Sequence, residues 1–419
     1  MISNGKKIAV VGTGISGLIA AYLLSPKNEV EVFESNNYIG GHTRTITVEI
    51  DSQSYPIDTG FIVYNEWTYP NFMKVLAKNR IQSQSTNMSF SLSCEETGLE
   101  YNGTSFNGLF AQKKNLLRPS YYKMVYDIIR FNREAKNFLK ESKESKISFD
   151  KFLKNLNFDR NIQDFYIYPM ASAIWSAAPA MIAQAPFQFF ARFFDNHGML
   201  NIQDRPKWRV IQGGSREYIK RLISGFQNKI RLNCPVKKIF RKNDSVKLAI
   251  FDEEKTFDYV VLANHSDQAL RLLSNPTKDE EKILGSIHYQ ENEAVLHTDS
   301  KVLPKSKKAW ASWNYHKQKK EVNRTCVTYN MNMLQNLNAK STFCVSLNYG
   351  HRIDPEKVIN TTTFHHPVIT PEGIEAQKRH HEINGINRTF YCGAYWGSGF
   401  HEDGVNSALK VCKYFGRSL

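Results

Sequence analysis

Three glycines near the start of the chain, Gly12, Gly14 and Gly17, have the spacing of a turn that binds phosphate. The first allows a tight turn, the second lets the backbone approach a pyrophosphate, and the third lets a helix pack closely on a strand. Ile15 and Ser16 begin that helix, whose free N–H groups and positive dipole end attract an anion. The spacing predicts that the backbone binds a dinucleotide through these five residues.

The segments on either side of the turn must position it. Residues 8–11 form a short apolar run typical of a buried parallel strand, and a second strand is predicted at 29–33. The second strand ends at Glu34 and Ser35, about twenty residues beyond the turn, where a carboxylate accepts hydrogen bonds from a ribose. We interpret residues 6–35 as a βαβ dinucleotide site; the alternative is an ordinary βαβ unit with an exposed Glu34.

A second glycine pair, Gly40-Gly41, leads into His42, Thr43 and Arg44. Two glycines permit close approach of the backbone to a ligand, and a guanidinium binds phosphate oxygens in a fork. The segment resembles the second phosphate-binding element of FAD enzymes of the amine oxidase and phytoene desaturase type. The resemblance implies that the glycine pair passes under the flavin and that Arg44 meets the pyrophosphate. We therefore expect FAD, held by residues 40–44.

Two later segments are expected to extend this site. Gly60 and Phe61 follow a strand pair, and the glycine is expected to bring backbone close to the flavin. Val236 lies on the first strand of a predicted β-meander, where a flavoprotein offers backbone hydrogen bonds to adenine.

The C-terminal segment is expected to close the site from the other end of the chain. Residues 388–397 are predicted to form a strand that contains Gly393. A final helix is expected to begin near Gly404 and Val405, with its N–H groups directed at the pyrimidine edge of the flavin.

Groups suited to proton transfer lie next to this final helix. His401 precedes Glu402 and Asp403, and we take His401 as the candidate base, with Tyr64 and Trp396 as further catalytic candidates. The alternative is structural, because acidic residues cap helix N-termini and a lone histidine is more often a hydrogen-bonded part of the fold.

Length and charge bound the class of protein. The chain has 419 residues, 41% of them hydrophobic, which predicts two globular lobes. Its formal charge of +15 favours anionic partners, yet it has no arginine-rich tract or nucleic-acid module, so we expect no nucleic acid partner. Peripheral contact with an anionic membrane and simple solubility are the two interpretations of the charge.

The spacing of the cysteines and histidines predicts the cellular compartment and whether the protein binds a metal. Six cysteines without a C-x-x-C pair predict free thiols in a reducing compartment. The pairs His365-His366 and His380-His381 lack acidic or thiolate partners at metal spacing, so we expect no metal. No apolar run reaches the ~20 residues of a membrane span. We expect a cytoplasmic protein, with peripheral contact at the inner face of the cytoplasmic membrane as an extension.

Two lobes are expected to alternate along the chain. We assign residues 1–80, 205–285 and 366–419 to the FAD-binding domain and residues 81–204 and 286–365 to a substrate-binding domain.

The substrate lobe contains two informative stretches. Residues 116–140 form a basic helical segment whose aromatic stripe we interpret as a core face, with a helix at a membrane surface as the alternative. Residues 164–194 are strongly apolar, and Pro169, Pro179 and Pro186 are predicted to break them into short helices. These helices line either an acyl tunnel or a packed core.

Taken in order, these motifs resemble the FAD-dependent amine oxidoreductase superfamily along nearly the whole chain. The resemblance implies an α/β fold in which a Rossmann-like FAD-binding domain with a β-meander is joined to a discontinuous α+β substrate domain, as in amine oxidases. More narrowly, residues 58–66 (DTGFIVYNE), 263–270 (ANHSDQAL) and 392–404 (CGAYWGSGFHEDG) resemble one bacterial subfamily.

Members of that subfamily are linked to cyclopropane fatty acid synthase-like methyltransferases and include the methylated fatty acid desaturase of furan fatty acid biosynthesis. The resemblance implies a flavoenzyme that acts on fatty acyl chains of membrane phospholipids, with a methyltransferase as possible partner. Double-bond isomerisation, amine oxidation and a non-catalytic FAD-binding scaffold for the methyltransferase are the alternatives.

Three departures from the superfamily pattern bear on cofactor binding and activity. Tyr395 stands where amine oxidases carry an acid that holds the ribityl chain. Cys392 precedes Gly393 and is no counterpart of the cysteine that binds flavin covalently in monoamine oxidases, so we expect non-covalent FAD. The aromatic cage of amine oxidases is not evident either, which disfavours amine oxidation.

Overall fold

The computed structural model describes residues 2–141, 145–251, 253–319 and 324–419. The strands are β1 (Lys7–Val11), β2 (Glu29–Phe33), β3 (Thr45–Ile50), β4 (Gln53–Asp58), β5 (Val63–Asn65), β6 (Ser83–Ser85), β7 (Phe90–Cys94), β8 (Glu100–Asn102), β9 (Trp208–Ile211), β10 (Ile230–Arg231), β11 (Val236–Arg241), β12 (Val246–Ile250), β13 (Glu253–Phe257), β14 (Tyr259–Leu262), β15 (Tyr289–His297), β16 (Trp313–Lys317), β17 (Val327–Asn330), β18 (Cys344–Leu347), β19 (Val358–Pro367) and β20 (Thr389–Tyr391).

The helices are α1 (Ile15–Leu24), α2 (Pro70–Lys78), α3 (Phe106–Leu109), α4 (Pro119–Glu141), α5 (Phe149–Asn155), α6 (Arg160–Ile162), α7 (Tyr168–Trp175), α8 (Pro179–Gln184), α9 (Phe187–Asn196), α10 (Arg216–Leu222), α11 (Ser266–Leu272), α12 (Lys278–Gly285), α13 (Met331–Gln335), α14 (Pro371–Lys378), α15 (His380–Ile383) and α16 (His401–Tyr414). None of the described helices is both long and apolar enough to cross a bilayer.

A parallel sheet with the order β10-β2-β1-β14-β20 carries the glycine turn. Its side chains alternate between two cores because successive strand residues point to opposite faces. Ile8 and Val10 pack with α1 and α16 on one face, and Ala9 and Val11 pack with the antiparallel meander β11-β12-β13 on the other. The predicted Rossmann-like arrangement with a β-meander is confirmed.

The glycine turn is tight enough to exclude side chains. Gly12 has a φ of +106°, and a Cβ there would lie 2.9 Å from the backbone oxygen of Ala263 at the end of β14. A Cβ on Gly17 would lie 2.0 Å from the backbone oxygen of Gly12. Helix α1 can therefore start directly at the carboxyl end of β1 only with these residues.

The substrate lobe is built on a seven-stranded sheet with the order β19-β15-β18-β17-β16-β7-β8. It joins distant segments, since β7 and β16 pair in parallel. Residues 361–367 belong to β19, an edge strand that pairs with β15 from Tyr289 to His297. The run of three threonines in this strand favours an extended backbone.

Proline breaks the apolar stretch 164–194 at two of three predicted places. Pro179 opens α8 and Pro186 immediately precedes α9. Pro169 lies in the first turn of α7, which continues without interruption from a π-helical turn at Gln163–Ile167. The prediction of a break at Pro169 was wrong because the π-helical turn shifts the hydrogen bonding ahead of the proline.

Helix α4 has two apolar faces. Tyr121, Met124 and Phe131 are buried against the substrate lobe, whereas Tyr122 and Tyr126 are exposed. The interpretation of the stripe as a core face therefore holds for only part of it.

The C-terminal segment differs from its prediction in two bounds. The last strand ends at Tyr391, and α16 begins at His401, ahead of Gly404. The earlier start follows from Asp403, whose carboxylate accepts the backbone N–H of Ser398 and of Phe400 at 3.0 Å and so caps the helix.

Gly404 lies where α16 crosses α1, and it generates a prediction. A methyl group there would lie 2.7 Å from Ile15 Cγ2 and 2.9 Å from Ser16 Oγ. Because overpacking of this kind costs about 1–3 kcal/mol, Gly404→Ala is expected to lower the free energy of unfolding by that amount. Urea unfolding measures it, and Gly225→Ala, whose Cβ would meet no atom within 4 Å, is the control. Equal stability of the two variants would contradict the tight crossing.

Candidate active site

Glu34 ties the glycine turn to the second glycine pair. Its carboxylate accepts the backbone N–H of Thr13 at 2.9 Å and the Thr13 hydroxyl at 2.5 Å. The Thr13 hydroxyl oxygen in turn accepts the N–H of Gly40 at 3.2 Å. A Cβ on Gly41 would lie 3.2 Å from Gly14 Cα, so the two glycine segments touch. The structure thus brings these predicted cofactor residues together.

The expected adenosine end lies beside Glu34. The backbone N–H of Cys234 donates to the Glu34 carbonyl oxygen at 2.8 Å, which holds Val236 and the start of β11 next to β2. The Ser35 hydroxyl lies 3.4 Å from the Glu34 carboxylate. Ser35 and Val236 therefore lie at the same end of the sheet as Glu34.

The opposite end of the chain meets the first turn of α1. Gly404 lies against Ile15 and Ser16, and Val405 is fully buried beside them. The backbone N–H of Gly393 donates to Ser407 Oγ of α16 at 2.9 Å. The predicted N-terminal and C-terminal parts of the site therefore form one surface.

His401 is enclosed on the flavin-domain side of this surface. Its ring stacks on Phe61 with 3.5 Å between the centroids, and Nε2 lies 3.0 Å from Thr43 Oγ1 and 3.3 Å from the Tyr218 hydroxyl. Burial holds the pKa of His401 well below its usual range. His401 therefore positions the loop that carries Thr43, and its assignment as the base stays a prediction.

The other two catalytic candidates lie elsewhere. Tyr64 is buried against Tyr69 and Phe72 in the core between α1 and the parallel sheet. Trp396 stacks on His380, with 4.0 Å between the ring centroids, in the core on the opposite face of that sheet. The structure does not bring these two side chains to one site because each fills a different apolar layer.

Gly60 and Arg44 each contact another part of the protein. A Cβ on Gly60 would lie 2.1 Å from the His42 carbonyl oxygen, so Gly60 packs against the glycine loop, and its approach to the flavin stays a prediction. Arg44 lies over the Tyr38 ring and donates to the Thr362 hydroxyl of β19. Contact of Arg44 with a pyrophosphate stays a prediction.

Three histidines from distant segments form what we call the imidazole cluster: His42, His265 and His366. The centroid of the His42 ring lies 6.1 Å from that of His265 and 5.3 Å from that of His366. The His42 ring also stacks on Phe364 at 5.0 Å. The cluster therefore spans from the glycine loop of the FAD-binding lobe to β19 of the substrate lobe.

The cluster is uncharged at neutral pH. Loss of hydration, the largest cause, lowers the pKa of His42 to about 4 and the pKa values of His265 and His366 to about 3. Repulsion lowers each pKa further: His365 acts on all three rings, His42 also acts on His265, and both His42 and His265 also act on His366.

An amide chain fixes the tautomer of His366. The backbone N–H of Glu293 donates to Asn348 Oδ1 at 3.1 Å, which makes the Asn348 amide nitrogen the donor to Asn292 Oδ1 at 2.7 Å. The Asn292 amide nitrogen must then donate to His366 Nδ1 at 2.9 Å. A neutral His366 therefore carries its proton on Nε2.

His42 presents a ring nitrogen without a partner. Its Nε2 is buried and has no hydrogen-bond partner among the described residues. In the neutral tautomer that is protonated on Nδ1, this nitrogen carries a free lone pair.

Aromatic side chains line the substrate side. Trp175 at the end of α7 donates its Nε1–H to the Ser398 carbonyl oxygen at 3.1 Å, and its ring packs on Phe193 at 4.6 Å. Phe193 contacts Phe400 at 5.0 Å, and the same apolar cluster includes Phe364. We call Trp175, Phe193 and Phe400 the aromatic wall, and the imidazole cluster touches the same apolar core through Phe364.

The sequence analysis missed His265, His366 and Asn292 as members of the site. His366 was considered only as a metal ligand, and no group of three or more His, Cys, Asp or Glu in the described ranges is arranged to hold a metal ion. One signal was available: Phe364 and His366 alternate on a strand and so share one face. The pairing of β15 with β19 that adds Asn292 has no local signal.

The residues present fit FAD. Gly14 leaves open space where a Cβ would stand, and the Glu34 carboxylate ends β2 beside it. Asn264 Oδ1, next to the turn, is buried without a partner among the described residues, as expected of a group that awaits a polar ligand. Cys392 is fully buried, and burial raises the pKa of its thiol, so non-covalent binding stays our prediction.

Glu34 generates a prediction for cofactor affinity. Because a hydrogen bond to a charged group contributes ~1.5–3 kcal/mol, Glu34→Ala is expected to raise the Kd for FAD about 10- to 100-fold. Titration of the apoprotein by flavin fluorescence measures this change. Glu29→Ala, at the exposed start of the same strand, is the control and should bind FAD like the parent protein. An unchanged Kd for Glu34→Ala would remove the carboxylate from the site.

The imidazole cluster generates a prediction for stability against pH. His366 stays neutral in the folded protein down to pH about 3, whereas in the unfolded chain it takes up a proton near pH 6.5. The free energy of unfolding should therefore fall as pH falls through this window. Unfolding of His366→Gln should take up as much as one proton fewer than unfolding of the parent protein. The free energy of unfolding of the variant should therefore depend less steeply on pH.

Urea unfolding at a series of pH values measures that slope. Burial raises the pKa of Asp58 and of Asp403 to about 6, so these two carboxyls make the free energy of unfolding rise as pH falls. Both acids are present in the parent protein and in the variant, so they do not affect the comparison. His381→Gln, at an exposed position, is the control. Parallel slopes for the parent protein and His366→Gln would contradict a neutral His366.

Comparison with known proteins gives the family. A sequence profile of the flavin-containing amine oxidoreductases matches residues 15–414. The chain is 24% identical over 307 residues to an L-amino-acid oxidase of Mus musculus, which covers 68% of this chain and 46% of that protein. The chain spans less than half the length of the curated relatives it matches.

Two solved structures have the same fold. The structure of cyclohexylamine oxidase from Brevibacterium oxydans matches with a TM-score of 0.70 at 13% identity, over 98% of each chain. The structure of a CLA-producing fatty acid isomerase from P. acnes matches with a TM-score of 0.68 at 14% identity, over 99% of this chain and 100% of the other. The chain therefore belongs to the flavin-containing amine oxidoreductase family, with the amine oxidase-like fold, FAD as cofactor and the class of FAD-dependent oxidoreductase.

Proposed function

We propose that this oxidoreductase desaturates fatty acyl chains of phospholipids, methylated chains in particular. The observation that carries the proposal is the neutral imidazole cluster at the border of an aromatic, apolar lobe. An acyl chain is recognised by apolar contact, and it needs no charged partner. The proposal extends the subfamily resemblance of residues 58–66, 263–270 and 392–404.

The acids beside the aromatic wall argue against an amine substrate. Glu402 accepts the backbone N–H groups of Asn71 at 3.0 Å and Phe72 at 2.8 Å, and Asp403 caps its own helix. Both carboxylates are thus committed to backbone. An ammonium group that entered beside neutral imidazoles would lose its hydration without gaining a counter-charge.

The chain's residues supply the proton transfer. When bound, FAD accepts a hydride from a substrate carbon. A proton must leave the neighbouring carbon as the double bond forms, and the free lone pair of His42 Nε2 is the acceptor in our proposal. The proton that Asn292 fixes on His366 Nε2 keeps that ring a donor, so the two imidazoles do not compete for the same role.

A flavin-dependent shift of a fatty acid double bond is the second candidate. The fold match to a fatty acid isomerase favours it, and the same neutral groups can take a proton from one carbon and return it to another. The two reactions differ in electron balance, because an isomerase needs no net electron acceptor.

Lipid mass spectrometry tests the choice. Cells that express the protein together with a cyclopropane fatty acid synthase-like methyltransferase are compared with cells that express the methyltransferase alone. Desaturation predicts acyl species lighter by two hydrogens, and isomerisation predicts an unchanged mass with a moved double bond. If neither change occurs, the proposal of an acyl substrate fails.

A single-turnover experiment tests the role of His42. Anaerobic mixing of the FAD-loaded protein with a methyl-branched, unsaturated phospholipid is expected to bleach the visible absorbance of the flavin. His42→Gln should slow the bleaching at least about 100-fold, the usual loss for a missing general base. The bound FAD of the variant is quantified separately, and His381→Gln is the control. Equal rates for His42→Gln and the parent protein would exclude His42 as the proton acceptor.

A further inference from the structure

One face of the substrate lobe exposes apolar side chains that belong to separate elements. Leu117 is 87% exposed at the end of a 3-10 turn (Lys113–Leu117), and Phe106 of α3 is 72% exposed. Helix α4 adds further exposed members. We call the set the docking face: Phe106, Leu116, Leu117, Tyr122, Tyr126 and Ile129.

Contacts between these elements make the docking face continuous. Phe106 packs on Phe110 with 4.8 Å between the ring centroids, and Phe110 packs on Tyr122 at 5.8 Å. The Tyr122 hydroxyl donates to the Leu116 carbonyl oxygen at 3.0 Å. Tyr126 follows Tyr122 by one helical turn on the same face of α4. The exposed side chains therefore share one surface and are not scattered.

Positive charge surrounds the docking face. Residues 103–140 contain eight Lys or Arg and two Asp or Glu, a net charge of +6. Asp127 is paired with Lys123 at 2.8 Å and Arg130 at 3.2 Å, so the charge available to a partner comes from the other cations of this surface.

Three further cations of this surface have no acidic partner in the part of the chain that the structure describes. Lys113, Lys114 and Arg118 are exposed and form no ion pair with a described residue. Helix α3 packs against a second 3-10 turn (Lys307–Ala309), which adds exposed Lys307 and Lys308. The charge lies around the apolar side chains and not among acids that would neutralise it.

We propose that the docking face binds the surface of an anionic lipid bilayer. Phe and Leu side chains enter the boundary between headgroups and acyl chains, Tyr rings lie at headgroup level, and the surrounding cations contact anionic headgroups. Charge complementarity selects this occupant, because a second copy of the chain would present the same net positive charge to this face. The inference stands on the surface alone and goes beyond the acyl reaction proposed above.

Flotation of the FAD-loaded protein with lipid vesicles tests the inference. We expect the parent protein to float with vesicles that contain phosphatidylglycerol and to float weakly with vesicles of phosphatidylcholine alone. The triple variant Lys113→Glu, Lys114→Glu, Arg118→Glu should lower the partition coefficient at least about 100-fold. Phe106→Ser with Leu117→Ser should lower it on both types of vesicle, since it removes the apolar contribution.

Matched variants on other surfaces control for net charge and exposed apolar area. Lys27→Glu, Lys229→Glu and Lys242→Glu change the charge by the same amount, and Ile202→Ser with Ile386→Ser removes exposed apolar side chains elsewhere. Both should float like the parent protein, and FAD content and Tm verify that every variant is folded.

Three results would overturn the inference. They are absence of flotation of the parent protein with anionic vesicles, equal losses in the matched variants, and a parent dimer that Phe106→Ser with Leu117→Ser dissociates. Because flotation requires no turnover, binding without lipid oxidation would refute only the proposed function, and lipid oxidation without binding would refute only the docking face.

Discussion

The first turns of α1 and α16 touch where Gly404 meets Ile15 and Ser16, and the rest of the site depends on this contact. Two helix N-termini from opposite ends of the chain converge there, each with unpaired N–H groups and a positive dipole end. The crossing also places His401 under the loop that carries Thr43. A side chain at position 404 would therefore disturb the phosphate turn and the glycine loop together.

Burial of uncharged imidazoles sets what the site can accept. Each ring of the imidazole cluster loses hydration, and the neutral form limits the cost because no charge is transferred into the apolar surroundings. A site of neutral bases beside aromatic rings suits a substrate whose reacting carbons are apolar. It differs in this respect from a site that must bind an ammonium group.

The sequence was most informative at positions where the local backbone geometry allows only one type of residue. Gly12 and Gly17 are required because Cβ atoms would collide with neighbouring backbone, and their spacing alone predicted the βαβ unit. Prediction failed where the deciding contact is distant. Trp396 lies in the segment predicted to face the flavin, yet its ring packs in an apolar core, where it stacks on His380. His366 enters the site only because β19 pairs with β15 and so places it within reach of Asn292.

That last contact explains why an amide and not a carboxylate orients His366. A carboxylate beside an imidazole fixes its tautomer but also raises its pKa and adds a buried charge. The Asn292 amide fixes the tautomer without charge, and its own orientation is determined by Asn348 and ultimately by the backbone N–H of Glu293, which can only donate. The backbone N–H of Glu293 in β15 therefore determines, through the two amides, which nitrogen of His366 carries the proton. This amide chain keeps the site neutral, which suits the apolar substrate that we propose.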